Sequence, residues 1–218
     1  MRDFPIFTTD YGVSSLILRE IPYRNEAYIR IQDVQPGMLE QHLEECVGFC
    51  KMAGAERIYG LGAGLDQYPE FMSVLEMRGA VQLDPDSMAC LFPVTEQTVS
   101  RWREIHNKAM VSVDNAGTLE KRDEKRILES AGAYFVHDNG NLLGIGWVEN
   151  NTLLAVASVV PGSGRRIVQT LMTLVPGEDM CLQVASTNEK ALRLYERMGF
   201  VKTRCVECWH VLHKSGTV

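Results

Sequence analysis

The sequence lacks the excess of basic residues that a nucleic-acid-binding surface needs. Its 22 Lys and Arg residues are outnumbered by 28 Asp and Glu residues, which gives a formal net charge of −6. Binding to a phosphate backbone depends on a basic face that releases counterions. The charge balance therefore argues against nucleic acid as a main partner.

The sequence also lacks a long apolar run. The longest one, LLAVASVV at 153–160, is far shorter than the roughly 20 residues that a membrane-spanning helix needs. The first ten residues, MRDFPIFTTD, do not have the basic and then apolar form of a signal peptide. We therefore expect a cytoplasmic protein without a membrane partner.

Cysteine is sparse and shows no dense framework. The six residues lie at positions 46, 50, 90, 181, 205 and 208, so free, buried thiols are expected rather than disulfides. The CVEC segment at 205–208 resembles half of a zinc site. A three-residue offset in a strand points the two sulfurs to opposite faces, which disfavours a metal centre.

What is present is an ordinary globular composition. The chain has 218 residues, of which 45% are hydrophobic and 23% charged, enough for one large domain or two small ones. The first part of the chain is predicted to begin with two paired strands, over SSLILREIPY and AYIRIQDV. A helix over 39–53 and a strand over RIYGL follow. A second helix over about 68–78 then leads into extended chain. Pro69 and Gly79 favour the second of these helices, because they suit a first turn and a stop.

From position 95 onward the pattern alternates between helices and strands. Two helices are predicted over 96–110 and 119–131. A three-stranded antiparallel meander follows over 133–160, with turns at Asn139-Gly140 and Asn150-Asn151. A helix over about 165–174, the strand MCLQVA, a helix after Ser186 and a last strand KTRCVECWHVL complete the order.

The two ends of the chain suggest a degenerate internal repeat. Its three matches are Pro36-Gly37 with Pro161-Gly162, Gly54 with Gly177, and the segment 78–81 with 198–201. Chance matching of Gly and Pro punctuation is the alternative. The repeat favours a duplicated α/β unit, with a partial, inactive unit over 1–93 and a complete domain over 94–218.

The segment VVPGSGRRIVQTLM predicts an anion-binding turn. A strand ends at Val160, and a helix begins near Gly164 with Arg165 and Arg166 in its first turn. Free backbone N–H groups and the positive end of the helix dipole favour a phosphate there. The dipole disfavours two cations in a first turn, and a bound polyanion would reverse that effect. Pairing of both arginines with surface carboxylates is the alternative.

The segment ASTNEKALRLYERMGF, at 185–200, predicts a capped amphipathic helix. Ser186 and Glu189 form a possible capping box, and Gly199 supplies the stop. Asn188 and Tyr195 are two turns apart, near the same side of the helix. The predicted apolar face is formed by Ala191, Leu192, Tyr195 and Met198. Tyr195 could equally be a half-buried core aromatic residue.

Together these segments resemble the GNAT superfamily of acyl-CoA-dependent N-acyltransferases. The resemblance rests on Val160-Pro161, the turn 162–166, IVQTLM, LQV and above all NEKALRLYERMGFV at 188–201. It covers about 95–218. It implies a central twisted mixed β-sheet flanked by helices, an α/β (α+β) fold.

The resemblance also implies roles for individual residues. The turn and helix start would hold the CoA pyrophosphate, two splayed strands would admit the pantetheine arm, and Tyr195 would protonate the leaving thiolate. Backbone N–H groups at the end of the strand before the turn would polarise the thioester. The expected binding residues for acetyl-CoA are Val159, Val160, Gly162, Ser163, Gly164, Arg165, Arg166, Asn188 and Tyr195.

The sequence departs from the family pattern at several positions. The turn is about one residue shorter, and Arg166 and Val168 stand where small residues are usual. TLLAVASVV carries no carboxylate, so candidates for the general base are Glu149, His137 and His210, or a water chain. In the first copy Glu40 and Leu75 replace the corresponding functional residues.

The expected function is transfer of an acetyl group from acetyl-CoA to a primary amine by direct attack in a ternary complex. The acceptor and the oligomeric state stay open. The alternative is a non-catalytic acyl-CoA-binding or interaction module with the same fold. An aminoacyl or long-acyl transferase is a third possibility, although aminoacyl-tRNA fits poorly with the acidic charge.

Overall fold

The computed structural model describes residues 5–83, 89–114 and 116–214. These residues form two compact units, one from residues up to Ser73 together with those from Glu207 onward, the other from Val74–Val206. Two strands, β5 (Glu70–Ala80) and β11 (Val201–Lys214), contribute residues to both units.

The first unit contains a mixed sheet in the order β1-β2-β3-β4-β11. Its own elements are β1 (Ile6–Thr8), β2 (Gly12–Ile17), α1 (Ile21–Arg24), β3 (Glu26–Val34), α2 (Leu39–Met52) and β4 (Arg57–Leu61). Helix α2 buries Leu43, Cys46 and Cys50, and the two cysteines belong to one apolar cluster with residues of β2, β3 and β4. Along the chain this helix connects β3 to β4, which pair in parallel.

The helix predicted over about 68–78 is wrong, because Glu70–Ala80 form strand β5. Glu, Leu and Met are good helix formers, and Pro69 and Gly79 suit a helix boundary equally well. Burial nevertheless alternates at Met72 and Val74, and residues 74–80 pair with seven residues of a neighbouring strand in the second unit. Tertiary pairing thus overrides local propensity.

The second unit contains the remaining elements in the predicted order. They are β6 (Cys90–Pro93), α3 (Val99–Met110), a 3-10 turn (Lys121–Asp123), α4 (Glu124–Ser130), β7 (Ala133–Asp138), β8 (Asn141–Glu149), β9 (Thr152–Ser158), α5 (Gly164–Met172), β10 (Asp179–Ala185) and α6 (Glu189–Arg197). The meander β7-β8-β9 is confirmed. Its turns place Asn139 and Asn150 in the left-handed region, with φ of 47° and 54°.

The sheet of the second unit runs in the order β5-β10-β9-β8-β7-β6, with β9 and β10 parallel. Residues of α5 and α6 form one apolar cluster with the sheet, and residues of α3 and α4 form another. Two glycines allow α5 to approach β8 closely. A Cβ atom at Gly146 would lie 2.2 Å from Leu171 Cδ1, and one at Gly144 would lie 2.6 Å from Ile167 Cδ1.

All six cysteines are free, as the sequence predicts. Their expected burial is only half right, because Cys46, Cys50 and Cys181 are buried whereas Cys90 and Cys205 are exposed and Cys208 is intermediate. Among the described residues, no helix combines the length and the apolar character that crossing a bilayer requires.

The internal repeat has mixed structural support. Gly37 and Gly162 occupy equivalent turns between a strand and a helix, with φ of 78° and 83°. In both units a helix then connects parallel strands. The third match does not hold, because Gly79 lies inside β5 whereas Gly199 ends α6 with φ of 86°. Duplication of the whole α/β unit stays a hypothesis.

Candidate active site

The parallel strands β9 and β10 separate shortly after they begin to pair. Their ladder joins only Thr152 with Cys181 and Leu153 with Leu182. The ladders on either side continue, to Ser158 between β8 and β9 and to Ala185 between β5 and β10. An opening therefore lies between residues 154–158 and 183–185, as the family resemblance implies.

A β-bulge accounts for the opening. In the ladder between β8 and β9, Val148 pairs with Leu153 while Trp147 pairs with Ala155, so Leu154 is an extra residue in β9. Such a residue bends its strand and increases the local twist. The bulge follows directly after the last residue that pairs with β10, and it turns the rest of β9 away from that strand.

The bulge leaves backbone N–H groups directed into the opening. Val159 and Val160, two of the predicted acetyl-CoA-binding residues, both donate their N–H groups to the Leu143 carbonyl, at 2.8 and 3.3 Å. Hydrogen bonds of an antiparallel ladder alternate along each strand. The N–H groups of Val156 and Ser158 therefore point away from β8, toward β10.

The turn after β9 has the geometry that an anion needs. Gly162 has φ of 83°, and a Cβ atom there would meet nothing within 4 Å. Ser163 fixes the turn, because its hydroxyl donates to the Val160 carbonyl at 2.7 Å. At the start of α5, the N–H groups of Gly164 and Arg165 find no acceptor within the described part of the chain. They are available to a ligand, at the positive end of the helix dipole.

The two arginines of this turn differ in their environment. Arg166 forms a bidentate ion pair with Asp138, at 2.5 and 3.0 Å, which is the surface pairing that the sequence left open. Arg165 is exposed, and no carboxylate among the described residues pairs with it. Arg165 is therefore the guanidinium group that can contact an anion without first breaking an ion pair.

Apolar side chains lie exposed in β9 and directly after it. Leu154 is 43% exposed, Val159 45% and Val160 40%. Leu154 lies in β9, whereas Val159 and Val160 follow directly after its last residue, Ser158. All three are exposed aliphatic groups at the bulge and next to the anion-binding turn.

The N-cap of helix α6 lies two residues later than predicted. Its N-cap is Asn188, whose carboxamide oxygen accepts the Ala191 N–H at 3.2 Å, so the Ser186 capping box is a correction. The predicted apolar face is confirmed, with Leu192, Tyr195 and Met198 buried.

The side chain of Tyr195 is 6% exposed and packs against Phe200, with ring centroids 5.6 Å apart. Burial raises the pKa of Tyr195 well above its ordinary value. No hydrogen bond within the described residues occupies its hydroxyl. The phenol is thus protonated near neutral pH and free to donate to a ligand.

The three candidates for a general base lie in different places. Glu149 ends β8 at the hairpin opposite Thr152, and a strand rise of about 3.3 Å per residue puts Thr152 about 13 Å from Val156. His137 lies in β7 beside Phe92. His210 belongs to the first unit, where its Nδ1 contacts the Tyr68 carbonyl at 3.0 Å. Nothing in this geometry places Glu149 in the opening.

The parallel strands of the first unit do not separate within the residues that the structure describes. Its parallel strands β3 and β4 pair over the whole of β4, from Arg57 to Leu61. Helix α2 begins after Met38 and carries Glu40 in its first turn, which repels an anion. Leu75, the counterpart of Tyr195 in the repeat, lies in β5 rather than in a helix.

A buried histidine cluster in the first unit was not predicted. His42 accepts or donates hydrogen bonds with Thr9 at 2.8 Å and Ser14 at 2.7 Å, and Cys46 lies 3.6 Å from its Nε2. Burial lowers the pKa of His42 and raises the pKa of the Cys46 thiol to about 11. His42, Ser14 and Cys46 are all fully buried. The cluster therefore fastens α2 to the sheet, and its thiol is not activated.

Comparison with known proteins gives similarity in structure alone. No family model matches the sequence, and no curated protein matches it. A GNAT-family acetyltransferase from Colwellia psychrerythraea is similar over 94% of this chain and 84% of its own, with 13% identity and a TM-score of 0.50. A GCN5-related N-acetyltransferase from Sphaerobacter thermophilus covers 94% and 78%, with 12% identity and a TM-score of 0.51.

A conserved protein of unknown function from Staphylococcus epidermidis is similar over nearly all of both chains, 97% and 94%, with 10% identity and a TM-score of 0.56. The chain therefore has the mixed α/β fold of the GNAT acetyltransferases, and the resemblance inferred from the sequence is confirmed at the level of the fold. Function is a separate question, because one fold supports many activities.

Proposed function

We propose that this protein transfers an acetyl group from acetyl-CoA to a primary amine. The observation that carries the proposal is the opening between β9 and β10, which leads to an anion-binding turn. Helix α6 contacts that turn, since a Cβ atom at Gly164 would lie 3.1 Å from Leu194 Cδ2, and it bears the buried phenol of Tyr195. Each of these features answers one requirement of the reaction: a channel for the donor, a seat for its pyrophosphate and a donor for its leaving group.

The residues present fit the donor. The free N–H groups of Gly164 and Arg165, with the Arg165 guanidinium, would hold the pyrophosphate. The apolar surface of Leu154, Val159 and Val160 suits the pantetheine arm. Arg166 could join only by exchanging Asp138 for the ligand. When bound, acetyl-CoA supplies an acetyl thioester, a carbonyl carbon joined to a good leaving group.

The N–H groups that face the opening would polarise the thioester carbonyl. We assign this role to Val156 and Ser158 rather than to Val159 and Val160, whose N–H groups bond to Leu143. Preorganised N–H donors stabilise the oxyanion that forms when the amine attacks the carbonyl carbon. The C–N bond forms and the C–S bond then breaks.

Tyr195 would stabilise the departing sulfur as a hydrogen-bond donor. Its pKa is raised by burial, whereas a free thiol has an ordinary pKa near 8.5, so full transfer of the proton from phenol to thiolate is uphill. The phenol therefore donates a hydrogen bond while the negative charge develops. The amine proton passes to water, which we prefer as base because Glu149 lies at the far hairpin.

The test is a thermal melt with acetyl-CoA, followed by measurement of free thiol with a panel of amines. The proposal predicts a higher Tm with acetyl-CoA and amine-dependent thiol release. Stabilisation without thiol release for any amine would favour the alternative, a non-catalytic acyl-CoA-binding module. Two features favour that alternative: β9 carries no carboxylate, and Arg166 is already paired with Asp138. An unchanged Tm at millimolar acetyl-CoA would contradict both the acetyltransferase and the acyl-CoA-binding module.

Replacing Arg165 with alanine is expected to raise the Kd for CoA about tenfold, because one charge-assisted contact to the pyrophosphate is lost. Arg165→Glu should weaken binding further. Isothermal titration calorimetry measures both. Arg101→Ala is the matched control, because Arg101 is an exposed arginine in α3, with 68% of its side chain accessible. An unchanged Kd in Arg165→Ala would exclude this residue from the pyrophosphate seat.

Each chain is expected to bind one CoA molecule. Within the described ranges, separated parallel strands occur only in the second unit, whereas β3 and β4 of the first unit stay paired and Glu40 replaces the arginines. Titration with CoA should give a stoichiometry of one per chain. A stoichiometry of two would contradict this prediction. It would show that β3 and β4 of the first unit also separate and that this unit binds CoA.

A further inference from the structure

The hydroxyl group of Thr9 closes the turn between β1 and β2. Its oxygen accepts the backbone N–H groups of Tyr11 and Gly12, at 3.0 and 3.1 Å. A hydroxyl group has two acceptor lone pairs and one proton to donate. Both lone pairs of Thr9 Oγ1 are therefore occupied by the turn, and only its proton is left for a further hydrogen bond.

That proton fixes the tautomer of the buried His42 ring. Thr9 Oγ1 lies 2.8 Å from Nδ1, and because the oxygen has no lone pair left, Nδ1 must be the acceptor. In a neutral imidazole the other nitrogen then carries the hydrogen atom. Nε2–H donates to Ser14 Oγ at 2.7 Å, while the Cys46 sulfur lies further away, at 3.6 Å. The neutral ring thus joins the turn, β2 and α2 by one accepted and one donated hydrogen bond.

A second proton on the ring conflicts with this arrangement, because both nitrogens of a charged imidazole are donors. An Nδ1–H group would face Thr9 Oγ1, which could accept it only by releasing Tyr11 or Gly12. His42 is 0% exposed, so water does not reach the ring to replace the lost partner while the turn stays closed. A buried charge without its hydrogen bonds is costly. Protonation of the ring therefore favours an open turn.

The groups around the ring determine its charge state. Burial lowers the pKa of His42, and the Glu45 carboxylate in the same helix opposes that shift. Burial raises the pKa of the Cys46 thiol to about 11, so this neighbour stays uncharged near neutral pH. The turn and β2 contribute the hydroxyl groups already described, and no carboxylate in the described ranges forms an ion pair with the ring. The neutral ring is therefore the form that makes these contacts at neutral pH.

The turn can open without unfolding the whole unit, because it lies next to a short strand. The pairing between β1 and β2 consists of three residue pairs, from Ile6 with Ser15 to Thr8 with Val13. Segments with few hydrogen bonds open locally at a lower free energy than the core of a domain. We therefore expect the first response to protonation at the turn, and not in the middle of the sheet.

We propose that His42 is a proton-sensitive latch, which holds the β1–β2 turn as the neutral Nε2–H tautomer and releases that turn when the ring takes up a second proton. In the closed form the ring binds its proton at a lower pH than in the open form. The closed turn is thus fully stable above the ordinary histidine pKa of about 6.5 and loses stability as the pH falls below it. The inference concerns the first unit and does not depend on acetyl transfer.

The test is NMR on the full chain labelled with nitrogen-15. At pH 7.5, long-range correlations within the ring should place the hydrogen atom of His42 on Nε2. One linked proton changes an opening equilibrium by about tenfold per pH unit. The hydrogen-exchange protection factors of the Tyr11 and Gly12 amides should therefore fall about tenfold from pH 6 to pH 5. The protection factor of Ile29, a fully buried residue of β3, should change less.

His42→Gln keeps a neutral donor at this position and cannot take up a proton, so the pH dependence at Tyr11 and Gly12 should disappear. His137→Gln is the matched control, because His137 lies in β7 of the second unit, and it should retain that dependence. A ring hydrogen on Nδ1, protection that does not change with pH, or a pH dependence that persists in His42→Gln would overturn the proposal. An equal loss of protection at Ile29 would show unfolding of the whole unit and would overturn the latch as well. The tautomer and the exchange rates of the unchanged protein decide the matter even where His42→Gln does not fold.

Discussion

Replacing Tyr195 with phenylalanine is expected to lower kcat for acetyl transfer about 100-fold, the typical effect of removing one preorganised donor from a developing anion. The substitution removes only the hydroxyl. The aromatic ring that packs against Phe200 in the apolar cluster of the second unit is retained. We therefore expect the Tm to change little and the Kd for CoA to stay the same.

The measurement is kcat with a saturating amine, together with the Kd for CoA and the Tm of each variant. Tyr23→Phe is the matched control, because Tyr23 is 54% exposed and lies in the first unit. An unchanged kcat in Tyr195→Phe would make Tyr195 a core aromatic residue, the alternative that the sequence leaves open. A parallel loss of kcat and Tm would point to packing rather than to the leaving sulfur.

The role of Tyr195 also depends on the direction in which its pKa is shifted. Because burial raises this pKa, the phenol does not lose its proton over the neutral and mildly alkaline range. Any pH dependence of kcat in that range is then expected to come from the amine acceptor and not from Tyr195. This separates donation of a hydrogen bond from the full protonation that the family resemblance implies.

The helices of the second unit were predictable because their signals are local. The apolar stripe of α6, the Gly199 stop and the Pro-Gly turn before α5 all act within a few residues of one another. The same kind of local signal gave a wrong prediction at β5, where Pro69 and Gly79 suggested the ends of a helix. There the conformation is decided by pairing with β10, about a hundred residues further along the chain, a contact that no local pattern encodes.

The geometry of the site was only partly predictable. The sequence indicated the turn at Gly162 and the phenol at Tyr195. The bulge at Leu154 instead depends on a shift in the pairing between β8 and β9, which only the folded sheet defines. The pair between Arg166 and Asp138 likewise joins residues 28 positions apart. Both features are tertiary, and they change which amides and which arginine face the ligand.

Replacing Gly144 with alanine is expected to lower the free energy of unfolding by about 3 kcal/mol, at the upper end of the usual cost of overpacking. A Cβ atom at Gly144 would lie 2.1 Å from the Ala157 carbonyl oxygen and 2.6 Å from Ile167 Cδ1. The first of these is a backbone atom of the adjoining strand, so no rotamer change relieves the contact. Strand β9 must therefore move away from β8, and the side chain of Ile167 in α5 must shift as well.

Denaturant unfolding measures this effect, with Gly177→Ala as the matched control. A Cβ atom at Gly177 would meet nothing within 4 Å, and its φ is not in the left-handed region, so its unfolding free energy should change by no more than about 0.5 kcal/mol. Gly144 lies opposite Ser158, whose N–H group faces the opening. Displacement of β9 at this point should therefore reduce turnover even in the folded fraction of Gly144→Ala. A variant as stable and as active as the unchanged protein would show that β8 and β9 are not held as closely as this geometry requires.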